Sequence, residues 1–233
     1  MNKNTMQYII GIDDTDNLES RGTGHLARIM AAALSQDFRV HGVTRHQLLK
    51  DERVPMTAKN SCAGIIFEGD PCPLHEIALY ARKMMLDDFQ PGSDPGLCVA
   101  TNVPSEIIAY GQRVQHEFIY QKEPRDLAAA YGLYLEGLGG DEGGVIGALA
   151  AVGLAAQGND GRYVLVGSIR DLEGLQPLST VLAAGVAAVQ AIDGQPILDG
   201  LVLADKLRPA RRNSQPILIV ERQADSWLPL KLD

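Results

Sequence analysis

Gln7-Tyr8-Ile9-Ile10-Gly11-Ile12-Asp13-Asp14-Thr15-Asp16 is an apolar run that stops abruptly in carboxylates. Its β-branched residues predict a short buried strand, and from Thr23 onward Leu26, Ile29, Met30, Ala33 and Leu34 recur at helical spacing. The order is strand, polar loop, helix. Asp13, Asp14 and Asp16 repel one another at the end of a buried strand unless a cation or hydrogen-bond donors compensate. Magnesium suits them, since it takes hard oxygen ligands, usually one or two carboxylates completed by substrate phosphates and water. In Gly22-Thr23-Gly24 the glycines leave backbone N–H groups unhindered at a helix N-terminus, a seat for phosphate oxygens. The expectation is therefore a Mg2+ and nucleoside triphosphate site. Asp13, Asp14 and Asp16 bind the metal, and Thr15, Gly22 and Gly24 surround the phosphates beside Thr23. The plainer alternative gives Asp14 and Asp16 to Asx-turns and Thr23 to a helix cap, but a turn needs one such residue and not three.

Composition bounds the rest. The 233 residues, 45% hydrophobic, can fill a real core, and 24 glycines with only 5% aromatics point to close backbone packing in an α/β or α+β enzyme. Cys62, Cys72 and Cys98 form no CxxC spacing, so neither a disulfide framework nor a zinc site is expected, and the setting is cytoplasmic. With no signal pattern and no run of ~18 apolar residues, no membrane span is expected. A formal charge of −8 opposes nucleic-acid binding by this chain alone. The one basic cluster, Lys206 to Arg212, reads as a solvated loop that could still help hold a phosphate.

Working outward from the first strand, further strands are expected at 38–43 and 62–67 and a helix at 74–86. Gln90-Pro-Gly-Ser-Asp-Pro-Gly96 is dense in turn formers and marks the domain junction, giving domains 1–92 and 93–233. Beyond it the pattern predicts a strand at 97–101, helices at 104–114, 125–135, 143–156 and 179–192, and strands at 163–169, 201–204 and 217–221. The fold class is α+β, two α/β-type domains with the second ferredoxin-like. There is no GxxxxGK[ST], and Leu18 and Glu19 stand where a calcium loop needs a ligand and a glycine. Asp14-Thr-Asp16 also has the DxD form of aspartate phosphohydrolases, though without convincing later motifs of that class.

Ile10-Gly11-Ile12-Asp13-Asp14-Thr15-Asp16 with Gly22-Thr23 resembles the opening of the archaeal agmatinylcytidine synthetases, which modify an isoleucine tRNA. Gly144-Val-Ile-Gly147-Ala-Leu-Ala-Ala-Val-Gly153 is similar to that family's G-[LI]-I-G-A-L-A-A-I-G helix, and Gln215-Pro-Ile-Leu-Ile-Val-Glu-Arg222 to its C-P-V-L-F-G-I-R strand, with Gln215 in place of the cysteine. The resemblance covers the kinase-like and ferredoxin-like domains, so the chain is expected to lack the OB-fold and zinc ribbon that follow in that family. It implies ATP hydrolysis, substrate activation by phosphorylation, and a phosphorylated loop threonine that falls on Thr23. Pro55-Met-Thr57-Ala-Lys59-Asn60-Ser61 sits where the family has P-x-K-T-R-G-N, which brings Thr57, Lys59 and Asn60 towards the nucleotide.

The Gly-rich turn Gly137-Leu-Gly139-Gly140-Asp141-Glu142-Gly143-Gly144 asks for tight turns or close approach of a ligand. In the resembled family the two domains form a site for agmatine, and Gly140, Asp141, Glu142, Gly143 and Gly144 offer the right chemistry for such a small-molecule amine. Two other readings stay open, a noncatalytic amine- or nucleotide-binding protein and a tRNA-modifying component whose tRNA-binding part is a separate chain. A homodimer is open as well.

Overall fold

The apolar run at the N-terminus becomes β1 (Met6–Asp13), which lies at the centre of an antiparallel sheet in the computed structural model. The structure describes residues 5–54 and 59–231, so Thr57 lies outside the described residues. Two compact units form, Met1–Gln157 and Gly158–Asp233.

In the first unit α1 (Thr23–Leu34), β2 (Arg39–Gln47), β3 (Ser61–Gly69), α2 (Leu74–Asp87) and β4 (Gly96–Ala100) follow β1. The strands stand in the order β4-β1-β3-β2, each pair antiparallel, which is the split βαβ arrangement of ferredoxin-like folds. That arrangement thus stands before residue 100, whereas the sequence placed it beyond residue 93. Gln90 to Gly96 is the turn that feeds β4 onto β1, and the compact units divide instead at Gln157/Gly158. The chain goes on through α3 (Ser105–Val114), α4 (Lys122–Tyr131), β5 (Tyr134–Gly137), which pairs with β4, and α5 (Val145–Gln157).

Alternation along β1 sends Tyr8, Ile10 and Ile12 to one face and Ile9, Gly11 and Asp13 to the other. On the first face Tyr8 stacks on Phe67 with centroids 5.4 Å apart, and Phe38 meets both rings edge-on. α1 and α2 pack on β1 to β4 here. The second face receives α5, which also packs on α3 and is buried at every residue from Gly147 to Ala155. It comes so near that a Cβ on Gly11 would stand 2.1 Å from the Ala148 carbonyl oxygen. This explains an apolar helix with no polar face: it is walled by the sheet on one side and by α3 on another.

The second unit is mostly strand: β6 (Arg162–Leu165), β7 (Leu175–Pro177), β8 (Ala188–Ala191), β9 (Leu201–Leu203), β10 (Ala210–Arg212), β11 (Gln215–Gln223) and β12 (Ser226–Pro229), with α6 (Leu178–Ala183). Its order is β6-β10-β11-β12-β9-β7, with β8 parallel to β11, over a core that includes Val181, Val189, Val202, Leu218 and Val220. Two expected helices are shorter than their apolar spacing suggested. Gly132, left-handed at φ 66°, caps α4 and frees Tyr134 to Gly137 to pair with β4. α6 stops at Ala183, Gly185 follows at φ 114°, and the remainder of the expected helix becomes β8. The basic cluster is only partly a loop. Residues 210–212 form β10, and Arg211, 5% exposed, donates to the Tyr163 hydroxyl and lies 5.4 Å from its ring centroid.

Candidate functional site

β1 delivers Asp13 opposite Gly96 of β4, and the chain leaves the sheet through Asp14 at φ 50°, a left-handed conformation that aspartate tolerates better than most residues. Asp16 then turns back on the helix: its Oδ1 accepts the Thr23 N–H at 3.3 Å and the Thr23 hydroxyl at 2.9 Å. Asn17 closes the loop, accepting N–H groups of Glu19 and Ser20 and donating to the Pro91 carbonyl. The loop is therefore pinned at both ends.

The Gly-rich turn is built by a residue the sequence reading passed over. The Asp94 carboxylate accepts the Asp141 N–H at 2.9 Å, and its backbone carbonyl accepts the Gly144 N–H at 2.9 Å. Asp141 in turn accepts the Gly143 N–H at 2.7 Å. Gly140, at φ 58°, has no room for a side chain, because a Cβ would fall 1.5 Å from Asp94 Oδ1. Gly147, in the first turns of α5, is likewise obliged to be glycine: a Cβ there would lie 1.9 Å from Asp13 Oδ2.

The two turns face one cleft of about 250 Å³ within the first unit. Asp13, Asp14, Asp16 and Thr23 line it from the aspartate turn, and Asp94, Asp141, Gly143 and Gly144 from the glycine turn. Arg53, Lys59 and Asn60 contribute from the segment after β2, and residues 117–121 from the connection between α3 and α4. The sequence had put the aspartates and the glycine turn in different domains; the fold joins them because α5 lies directly on β1 and β4.

Crowded carboxylates dominate the electrostatics. Burial, reinforced by the Asp14 charge, pushes Asp13 up to about 8, and burial with the charges of Asp94, Asp16 and Asp141 pushes Asp14 up to about 6. Among the described residues, no group of three or more His, Cys, Asp and Glu side chains stands in an arrangement for a metal ion. The geometry separates the expected trio, since Asp16 is engaged with Thr23. Asp13 and Asp14 remain, two acids raised by burial and neighbouring carboxylates, and two is a number magnesium takes alongside phosphates.

The other sequence-named residues divide clearly. Lys59, Asn60, Thr23, Asp141, Gly143 and Gly144 line the cleft. Thr15 is buried, and among the described residues its hydroxyl has no hydrogen-bond partner. Gly22 and Gly24 do not line the cleft; Gly22 is the N-cap of α1, and nothing lies within 4 Å of where a Gly24 Cβ would be. Glu142 is turned away, paired with Arg125. The cleft residues missed by sequence include Asp94, hidden among turn formers, and Arg53, Phe118, Tyr120 and Gln121, which no spacing links to the aspartates.

A mixed α/β unit with a carboxylate-lined cleft at the C-terminal end of its central strand defines the class. No protein-family model matches the sequence, and no curated protein matches it. Solved structures do share its fold. One, described as a tRNA fluorescent labeling enzyme, aligns at TM-score 0.57 and 21% identity over 64% of this chain and 36% of that one. A complex of TiaS with an isoleucine tRNA and ATP aligns at TM-score 0.56 and 21% identity over the same shares. The complex of TiaS with that tRNA, AMPCPP and agmatine aligns at 0.55 and 21% over the same shares, and apo TiaS is described as an agmatidine synthetase acting on the isoleucine tRNA. The chain thus spans about 36% of the length of the structures it first matches. The resemblance carried by the sequence motifs is found again in the fold.

Proposed function

We propose that the first unit binds ATP with Mg2+ in the cleft and transfers a phosphoryl or adenylyl group to a small substrate, foremost an agmatine-like amine. The observation that carries this is the pairing of Asp13 and Asp14, raised to about 8 and about 6 by burial and neighbouring carboxylates, with Thr23 on the wall of the same cleft. The neighbours described with ATP, and with AMPCPP and agmatine, support the choice of ligands.

Asp13 and Asp14 would hold the magnesium, which when bound neutralises phosphate charge. The Thr23 hydroxyl, oriented by Asp16, would position or receive the transferred group. Lys59, on the cleft wall, would offset charge growing on that group. Asp141 and Asp94 would face the amine, since carboxylates suit an ammonium or guanidinium. A tRNA-modifying component that relies on a separate chain for tRNA is the second reading, favoured by the two neighbours described with an isoleucine tRNA.

The test is Mg2+-dependent ATP hydrolysis by the full chain, alone and with agmatine or related amines, in the parent, Asp14→Asn and Thr23→Ala. Amine-stimulated turnover that falls about a hundredfold in Asp14→Asn is expected, the scale of losing a key electrostatic group. Amine binding without turnover in any protein would sink the enzyme reading and leave a binding protein. A salt-sensitive tRNA shift only on adding a partner would favour the second reading.

A further inference from the structure

We infer that Arg53 and Tyr120 form a stacking seat for the base of the nucleotide, an inference that rests on the nucleotide reading above. Tyr120 lines the cleft and is 74% exposed, so its ring is open to a ligand. Phe118 meets it edge-on, with ring centroids 5.2 Å apart at 80°. The Arg53 guanidinium lies over the Phe118 ring at 4.9 Å and is held there by Asp51, whose carboxylate oxygens accept its Nε at 2.8 Å and its Nη2 at 2.7 Å.

That bidentate pairing decides what the seat can take. With Nε and Nη2 engaged and its charge balanced by Asp51, Arg53 is poorly disposed to grip a phosphate, but its flat π-surface and the Tyr120 ring offer planes on which a heteroaromatic ring stacks. The segment is tied to the carboxylate end of the cleft, because Gln121 Nε2 donates to the Asp141 carbonyl at 2.9 Å. The cleft thus offers carboxylates for metal and phosphates, and the Arg53 and Tyr120 planes for a base. Stacking recognises the π-face, so the seat accepts more than one base.

The experiment compares binding of ATP and of inorganic tripolyphosphate, both with Mg2+, to the full chain and to Tyr120→Ala and Tyr120→Phe. The seat predicts that the parent binds ATP about tenfold or more tighter than tripolyphosphate, the scale of one base–aromatic stack. It predicts that Tyr120→Ala removes the difference without altering tripolyphosphate binding, and that Tyr120→Phe keeps it. ATP affinity unchanged in Tyr120→Ala, or equal binding of ATP and tripolyphosphate by the parent, overturns the seat and leaves the phosphate site standing. Failure of the parent to bind either probe overturns the nucleotide reading and the seat with it. A short single-stranded RNA that binds the parent more tightly than ATP and loses that binding in Tyr120→Ala overturns the nucleotide assignment in favour of an RNA base.

Discussion

The aspartate turn and the glycine-rich turn carry the same kind of side chain and use it in opposite ways. In the glycine turn the acids are occupied: Asp94 receives the Asp141 N–H, Asp141 receives the Gly143 N–H, and Glu142 pairs with Arg125. In the aspartate turn Asp16 is spent in this way on Thr23, while Asp13, which accepts a backbone hydrogen bond from Asp14, and Asp14 itself crowd together with their pKa values raised. An acid that accepts a hydrogen bond from its own loop shapes that loop and keeps lone pairs for a ligand; an acid pushed towards protonation by burial and neighbouring carboxylates gives up its proton only to a cation. Counting carboxylates in a sequence therefore overstates a metal site, and the hydrogen bonds between loop residues tell which acids remain available.

The contrast can be broken most severely through pH. Asp13 titrates near 8 in the folded chain against 3.8 for its ordinary value, so the folded state keeps a proton that the unfolded state has released. The stability from that proton is full below about 4 and is lost as pH rises towards 8. Because a metal must displace the proton, Mg2+–nucleotide affinity should rise with pH by up to about tenfold per unit below 8, and the slope should flatten in Asp13→Asn. Calorimetric titrations from pH 6 to 8 check both statements, and a flat profile in the parent would mean that Asp13 takes no part.

Next in size is Gly147→Ala. Its added methyl would overlap Asp13 Oδ2, so it should lower stability by about 1–3 kcal/mol and weaken Mg2+–nucleotide binding about tenfold. Thermal melts with and without the ligand separate the two effects. A smaller difference should divide the two acids of the glycine turn: Asp141→Asn, on the cleft wall, is expected to raise the Kd for an amine roughly fivefold, and Glu142→Gln less than twofold, as for an exposed ion pair. Equal effects would bring Glu142 into the site. Smallest is Gly24→Ala, where nothing lies within 4 Å of the new methyl; there helix propensity alone should add about 0.5–1 kcal/mol, read as a slightly higher Tm.

What the sequence made legible was whatever had length and a period. β1, α1 and α5 are long enough for their apolar spacing to speak, and they appear close to where it placed them. β7 and β10 have three residues each, too few for any alternation, and they are strands only because a neighbour offers its backbone. The junction was misplaced for a related reason. Pro91, Gly92 and Pro95 signal a turn, but not whether the strand after it returns to the same sheet. In the site, the aspartates and the glycine turn were legible by type, while Asp94 was not, because its meaning lies in a hydrogen bond to a residue 47 positions away.

The closeness of α5 to β1 has a consequence for how the first unit opens. Its amide groups lie between the sheet and α3, and at Gly11 the helix backbone stands where even a methyl group would not fit, which leaves no room for a solvent layer. Exposing them requires lifting the helix off the strands as one piece, so the amides of residues 147–155 should be the last in this unit to exchange with deuterated solvent. The aspartates at the end of β1 are thereby anchored to the slowest-opening part of the unit, and the loop that follows them can breathe without carrying them along.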